Sequence, residues 1–373
     1  MPKALDVLCF ATQGKDSGDE RRITYLLEPL SPRFLAVDRH HKTRVPLSLF
    51  RAIEHRRPHV VVMEGTGAAG GVAVMSARLL RSVPYVVSSG DAVAPFLRAF
   101  HPRVGPAAKV YEHTLYRLSA GFIGWSPYLV GRALSLGAPR GMTAAHFSLA
   151  RPSPGAREAI RDQLGIPPEA IVIGIAGRIL VDSRQGYCYG ADLVRALRRT
   201  DRADLRVLIV GDGDGLPVLV ELAGDELGRR VLLAGRITPD KVVDHVAAMD
   251  AGVLSQSTDL VGALRYTAKL PEYLAAGVPV VATEVPLAYD LDDGWLWRLP
   301  GDSPWDEHHV QALADFMQHI SREDIAAKKA RLPHDLETFD ARRQQQQVCA
   351  FVREATARAL RLGLGDRPSQ PCR

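Results

Sequence analysis

Short, almost continuous apolar runs recur along this chain with helical stretches between them, and no other feature restricts its fold as strongly. In the first half the runs are ALDVLCFAT (4–12), PHVVVME (58–64), VPYVVSS (83–89) and GFIGWS (121–126), the last preceded by the helix-like VYEHTLYRLSA (110–120). Runs this short, apolar at nearly every position, predict strands buried on both faces in a parallel sheet covered by helices. The pattern breaks at SLARPSPGARE (148–158), which carries two prolines and a glycine and is the best candidate for a linker. A second series opens at AIVIGIAGRI (170–179) and continues through DLRVLIVGDGDG (204–215), RRVLLAGRI (229–237), DAGVLSQS (250–257) and GVPVVAT (277–283). Two consecutive α/β domains, each a doubly wound Rossmann-like sheet, are therefore expected over 1–150 and 151–340. From Trp305 to about Leu362 the pattern is mostly helical; 341–362 is expected to form a C-terminal helix that could pack back on the first domain, and 363–373 a disordered tail. In such sheets ligands bind beyond the carboxyl ends of strands, which singles out Gly14 to Glu20, Glu64 to Gly67, Ser89 to Asp91, and Ser126.

A length of 373 residues suits two domains of ordinary size, each able to bury its own interior. The opening MPKALDVLCFATQGKDSGDE lacks the apolar core and cleavage site of a signal peptide, and no stretch approaches the ~18–20 apolar residues of a membrane span. A cytoplasmic location is expected. The four cysteines, Cys9, Cys188, Cys349 and Cys372, are far apart and form no CxxC pair, against both a zinc site and a disulfide framework. The net charge of +5 fits anionic ligands but is too small and too dispersed for a nucleic-acid partner. The densest basic cluster, RHHKTR (39–44) with RAIEHRRPH (51–59), reads either as a solvated face or as a weak peripheral contact with anionic membrane lipid or an acidic acceptor.

AKLPEYLAAGVPVVAT (268–283) is the most informative stretch. It reads as a helix with Lys269 and Glu272 in its first turn, ended by Gly277, with Pro279 leading into a buried strand. Free N–H groups and the positive dipole end of such a helix suit a phosphate, and a carboxylate there can accept from vicinal hydroxyls; an amphipathic helix with a Lys and a Glu on its wet side explains the pattern equally well. The string K-x-x-E-Y-L-A-A-G-x-P-V-V-A resembles the donor-site signature of family 4 glycosyltransferases, which have the GT-B fold of two Rossmann-like domains facing a central cleft. LGIPPEAIVIGIAGRI (164–179), VLIVGDGDG (207–215) and VLLAGRITPDKVVDHVAAMDAGVLSQS (231–257) resemble the flanking segments of that family, in its order.

The resemblance implies a retaining transfer of a sugar from a nucleotide diphosphate donor to a hydroxyl acceptor that the sequence does not identify. Position by position it implies that Glu272 binds the donor ribose, that Arg178 neutralises the diphosphate with Lys269 nearby, and that backbone amides of 262–268, including Arg265, Tyr266 and Thr267, cap the phosphates. Gly235, Arg236 and Ile237 would hold the base; Gly18 and Asp91 are candidates on the acceptor side, although an Asp after a strand is often only a helix cap. Two positions depart from the family. The phosphate-binding lysine expected shortly after Arg178 is missing from DSRQGYCYGAD (182–192), where Arg184 is the nearest substitute, and Leu264 stands where a second glutamate usually contacts the sugar.

In a retaining transfer without a covalent intermediate, the leaving diphosphate can take the acceptor's proton, so the protein mainly stabilises negative charge, aided by closure of the domains. No DxD string of the kind that would hold a divalent ion to a diphosphate is read, the closest being DGD (212–214) in a turn assigned to the fold, and neither a metal nor a cofactor is expected. Rival readings are a nucleotide-sugar epimerase on the same fold, which would need paired acids, and a catalytically silent sugar-nucleotide binding protein. A dinucleotide-dependent oxidoreductase is suggested by VGDGDG, whose spacing is not that of the G-x-G-x-x-G fingerprint.

Overall fold

The computed structural model of the chain describes residues 5–15, 17–37, 45–100, 102–182, 187–333 and 337–365. These fall into two compact units, one comprising 1–146 with 337–373 and the other 147–336.

Four strands of the first unit lie within the expected apolar runs, β1 (Val7–Ala11), β3 (Val60–Glu64), β4 (Tyr85–Ser89) and β5 (Gly121–Gly124), with β2 (Arg33–Phe34) at one edge; β6 (Gly141–Thr143) closes the other. All pairs are parallel, in the order β2-β1-β3-β4-β5-β6. Every residue of β1, β3, β4 and β5 is buried, which is why these segments are apolar along most of their length and not at alternate positions, with the polar Glu64, Ser88 and Ser89 at the carboxyl ends of β3 and β4.

In the second unit the strands are β7 (Ile171–Ala176), a short antiparallel pair β8 (Val181–Asp182) and β9 (Tyr187–Cys188), then β10 (Leu205–Val210), β11 (Val231–Gly235), β12 (Ala251–Leu254), β13 (Val280–Thr283) and β14 (Leu296–Leu299). Excluding the β8–β9 pair they form a second parallel sheet in the order β11-β10-β7-β12-β13-β14. Ile173, Ile175, Val207, Ile209 and Val253 meet Leu193, Leu197 and Leu313 in its core; each such fully buried aliphatic side chain contributes about 1.5–3 kcal/mol.

The helix Ala341–Gly365 belongs to the first unit. Its Gln345 Nε2 donates to the Tyr25 carbonyl (2.6 Å), Cys349 Sγ to the Leu26 carbonyl (3.3 Å), and Phe351 covers Gly121 of β5. It runs three residues beyond the expected end at 362, into the segment expected to be a disordered tail. The sequence has no proline there before Pro368, so nothing in 363–365 forbids helical backbone. The segment read as a linker, 148–158, is tied into the second unit: Ser153 N–H and Oγ both donate to the Asp244 carboxylate (2.7 and 3.1 Å). Among the described residues no helix is long and apolar enough to cross a membrane.

Candidate functional site

In the second sheet the chain leaves β7 toward β10 and β11 on one side, then returns to place β12 on the other. That reversal opens a crevice beyond the carboxyl ends of β7 and β12, the place where doubly wound sheets bind ligands. Gly177 and Arg178 follow β7 directly, Ser255 and Gln256 follow β12, and the helix Lys269–Ala275 lies beside them. Its Tyr273 hydroxyl donates to the Val253 carbonyl (3.1 Å) and accepts from Ala176 N–H (3.3 Å), which pins the helix to the ends of both strands.

The turn after β7 is laced to the turn after β10 chiefly through backbone. Gly177 N–H donates to Val210 O (2.9 Å), Ile179 N–H to Asp212 O (3.1 Å) and Gly215 N–H to Ile179 O (3.1 Å). A Cβ on Gly211 would collide with the Gly177 carbonyl, and one on Gly213 with that of Ile179. The glycines of VGDGDG therefore let two turns touch, a reason that has nothing to do with a dinucleotide.

Lys269 is half-buried, with its ammonium 3.1 Å from where a Cβ on Gly177 would sit and 5.4 Å from the centre of the Tyr189 ring. Any larger residue at 177 would push that ammonium away from the turn carrying Arg178. Burial lowers the Lys269 pKa, Glu272 opposes the shift, and Arg265 adds to it. Burial raises the pKa of half-buried Glu272, opposed by Lys269. Arg178 itself is exposed.

The loop leading into the helix is organised by Asp259, whose Oδ1 accepts from Ser257 Oγ (2.7 Å), Val261 N–H (2.9 Å) and Gly262 N–H (3.0 Å). Ala263 N–H donates to Asp259 O (2.8 Å), Arg265 N–H to Gly262 O (3.1 Å), and Gln256 Nε2 to Gly262 O (3.0 Å). Of the amides expected to cap a phosphate, those of Gly262, Ala263 and Arg265 are thus taken up within the loop, because a compact turn must satisfy its own donors. Tyr266 is buried, its hydroxyl pKa pushed up to about 12, while Leu264, Arg265 and Thr267 are half-buried. Gly235 ends β11 with its carbonyl bonded by Gly211 N–H (3.1 Å); Arg236 is exposed and Ile237 half-buried. Arg184 lies outside the described residues, as does the basic string 39–44; Arg51, His55, Arg56 and Arg57 of the adjoining cluster are exposed.

Two buried arrangements escaped the sequence reading. Under β12, the carboxylate of Asp192, fully buried, accepts from Ser255 Oγ (2.7 Å) and the Tyr187 hydroxyl (3.2 Å), fixing the first residue past that strand. Burial raises its pKa, and the two hydroxyls act against the rise. In the first unit, Glu64 at the end of β3 and Arg22 of the helix Gly18–Leu27 form an ion pair (3.0 Å) with side chains 0% and 1% exposed. Arg22 also donates to Ser88 Oγ (3.2 Å) and to the Ala144 carbonyl, and lies 4.8 Å from the centre of the Trp125 ring, whose Nε1 donates to Glu64 (3.2 Å). Burial drives the Glu64 pKa up and that of Arg22 down, each charge opposing the other's shift. A charged residue ending the apolar run VVVME was the available signal for Glu64.

This network lies where the first sheet changes direction, between β1 and β3. Gly18 begins the helix that carries Arg22, with open space where a Cβ would stand. Half-buried Asp91 has its N–H on Ser89 Oγ (3.1 Å), and the first N–H of the helix Val93–Phe100 is met by Glu112 Oε1 (3.1 Å), so a carboxylate other than Asp91 serves that donor.

Solved structures with the same two-sheet architecture define the fold as GT-B. The Anabaena protein Alr3699/HepE in complex with UDP-glucose is similar at a TM-score of 0.70 and 16% identity over 93% of this chain and 99% of that one. Sucrose-phosphate synthase from Thermosynechococcus elongatus is similar at a TM-score of 0.65, with 16% identity over 96% and 98% of the two chains. Residues 5–145 match the glycosyl transferase 4-like domain and residues 170–319 the domain of glycosyl transferases group 1. Together those two domains take in well over half of the chain, and it belongs to family 4 of the glycosyltransferases. Over 238 residues it is 28% identical to the D-inositol 3-phosphate glycosyltransferase of Rhodococcus opacus (strain B4). That match takes in 61% of this chain and 50% of the relative, so the chain spans about half the length of the curated protein it resembles.

Proposed function

We propose that this protein is a retaining glycosyltransferase that takes a sugar from a nucleoside diphosphate and passes it to a hydroxyl acceptor. The observation that carries the reading is the Lys269 ammonium packed against Gly177, next to Arg178, at the point where the second sheet changes direction. Two cations at one turn suit a diphosphate, and Glu272, one helical turn from Lys269, suits the ribose hydroxyls. The relationship to a D-inositol 3-phosphate glycosyltransferase and the likeness to a structure holding UDP-glucose support a sugar-nucleotide donor.

In the proposed reaction the bond from the sugar to the diphosphate breaks as the acceptor oxygen bonds to the same face of the sugar, and the leaving phosphate oxygen takes the acceptor's proton. Arg178 and Lys269 stabilise the charge that grows on the diphosphate. Half-burial of Lys269 strengthens that interaction, because less water screens it than would screen a surface lysine. Gly235 to Ile237 are assigned to the base, and Tyr266 and Thr267, with the side chain but not the amide of Arg265, to the phosphate and sugar. Leu264 offers the sugar only apolar contact. Gly18 and Asp91, in the first unit, are assigned to the acceptor side.

Glu272→Ala is expected to weaken nucleoside diphosphate binding about tenfold or more, the loss of a charged hydrogen-bond acceptor, with an unchanged melting temperature for the free protein. Calorimetric titration checks the first and thermal unfolding the second; normal binding by the variant would end the assignment of Glu272. The reading assigns no divalent ion to the transfer: of the D-x-D strings in the sequence, DGD (212–214) lies in the turn laced to the one after β7, and in DLD (290–292) Asp292 already accepts from Arg298 (2.7 Å). Full activity in excess chelator is expected, and an absolute magnesium or manganese requirement would show that the phosphates are neutralised in another way.

A further inference from the structure

At the amino ends of β7 and β12, on the opposite edge of the second sheet from Arg178 and Lys269, four cationic side chains gather around one carboxylate. Arg157 and Arg161 come from successive turns of the helix Ala156–Gln163, Arg322 and Lys329 from one face of the helix Arg322–Lys329, and Asp250 immediately precedes β12. All five line a cavity of about 200 Å³.

Asp250 is already fully engaged. Its Oδ1 accepts from Arg157 Nη2 (2.5 Å), and its Oδ2 from Arg161 Nη2 (2.6 Å) and Val172 N–H (2.9 Å). Further N–H groups of the two arginines are aimed at backbone: Arg157 Nη1 at the carbonyls of Ala247 and Met249, Arg161 Nε and Nη1 at those of Ala248 and Ala170. They form a fixed floor. Lys329 stands 3.8 Å from Asp250 Oδ1, beyond hydrogen-bond length, with its side chain 33% exposed. Arg322 donates through one Nη2 contact to Pro168 O (3.3 Å) and keeps the rest of its fork for other partners.

Four positive groups against one negative leave an excess of three charges around the cavity. Burial and the neighbouring Arg157 both disfavour the charged form of Lys329, which is the direction expected of an ammonium held among cations without enough anions. We propose that this cavity binds a phosphate dianion, free or at the end of a small phosphomonoester, with Lys329 and Arg322 as its mobile ligands and Arg157 and Arg161 beneath it. A tetrahedral dianion offers acceptors to an ammonium and a guanidinium fork at once and removes two of the three excess charges; a carboxylate does half as much. At about 30 Å³ per water the cavity holds about six waters, enough for a phosphate and too little for a nucleotide. Along the six residues of β7, about 20 Å separates it from Arg178, so it is a different site from the one proposed for the donor. The inference does not depend on glycosyl transfer.

The test is thermal unfolding of the full chain as inorganic phosphate replaces chloride at constant ionic strength. The wild-type melting temperature is expected to rise by roughly 5–10 °C when phosphate reaches about 100 times its Kd. The rise should persist in Lys269→Met and disappear in Arg322→Ser/Lys329→Met. Lys329→Gln, which removes a charge and little volume, should raise the apparent Kd for phosphate about tenfold and guards against misfolding of the double variant. A parallel titration with glycerol 3-phosphate identifies the source of the dianion: tighter binding of the ester marks a phosphorylated metabolite, tighter binding of the ion marks free phosphate. No rise with either, or an equal rise in the double variant and the wild type, overturns the proposal.

Discussion

Arg178→Ala is expected to lower kcat about 10²–10³-fold while nucleoside diphosphate affinity falls less than about tenfold. The asymmetry follows from where charge appears. In the bound donor the diphosphate charge is spread over two phosphates, and it concentrates on the leaving oxygens only as the bond to the sugar breaks. A side chain that is exposed and held on a short turn contributes little to resting affinity, yet it meets the growing charge at its maximum. Steady-state kinetics against direct binding measurements separate the two quantities. Equal losses in kcat and in affinity would mean that Arg178 reads the ground state, and the stabilising role would pass to Lys269.

The second large effect concerns stability. Arg22→Met is expected to cost about 3–5 kcal/mol, because it leaves the Glu64 carboxylate buried without its partner. For a unit of this size that corresponds to roughly 10 °C in melting temperature. The double variant Arg22→Met/Glu64→Gln should recover most of the loss, since a neutral amide can still accept from the Trp125 indole and needs no counter-charge. Trp125 reports locally: its emission should shift in Arg22→Met, which removes the guanidinium from its ring face. If both variants lose the same stability, packing and not charge pairing holds this region.

The two sheets were legible because each central strand is buried on both faces, and that condition writes itself into the sequence as an unbroken apolar run such as VVVM (60–63) or IVIGIA (171–176). The helix Lys269–Ala275 was legible for a different reason: Gly277, with φ +68, ends it where the sequence placed the stop. What could not be read was which distant polar groups meet. Arg22 and Glu64 are 42 positions apart, Ser255 and Asp192 are 63 apart, and in each case the sequence offers a polar residue in an element without naming its partner. Tyr189 under Lys269 is likewise set by how β9 folds over the end of the sheet. The loop before Lys269 shows a further limit. Asp259 draws several donors onto one oxygen, and amides that a linear reading leaves for a ligand turn inward instead.

The return of the helix Ala341–Gly365 to the first unit makes the second unit, by connectivity, an insertion between residues 146 and 337. During synthesis the 147–336 segment is therefore complete, with both of its ends in hand, before the first unit has received the helix that covers Tyr25, Leu26 and Gly121. The second unit thus has its whole chain available before the first does, and the amino-terminal unit lacks the cover over Tyr25, Leu26 and Gly121 until residues near 350 emerge.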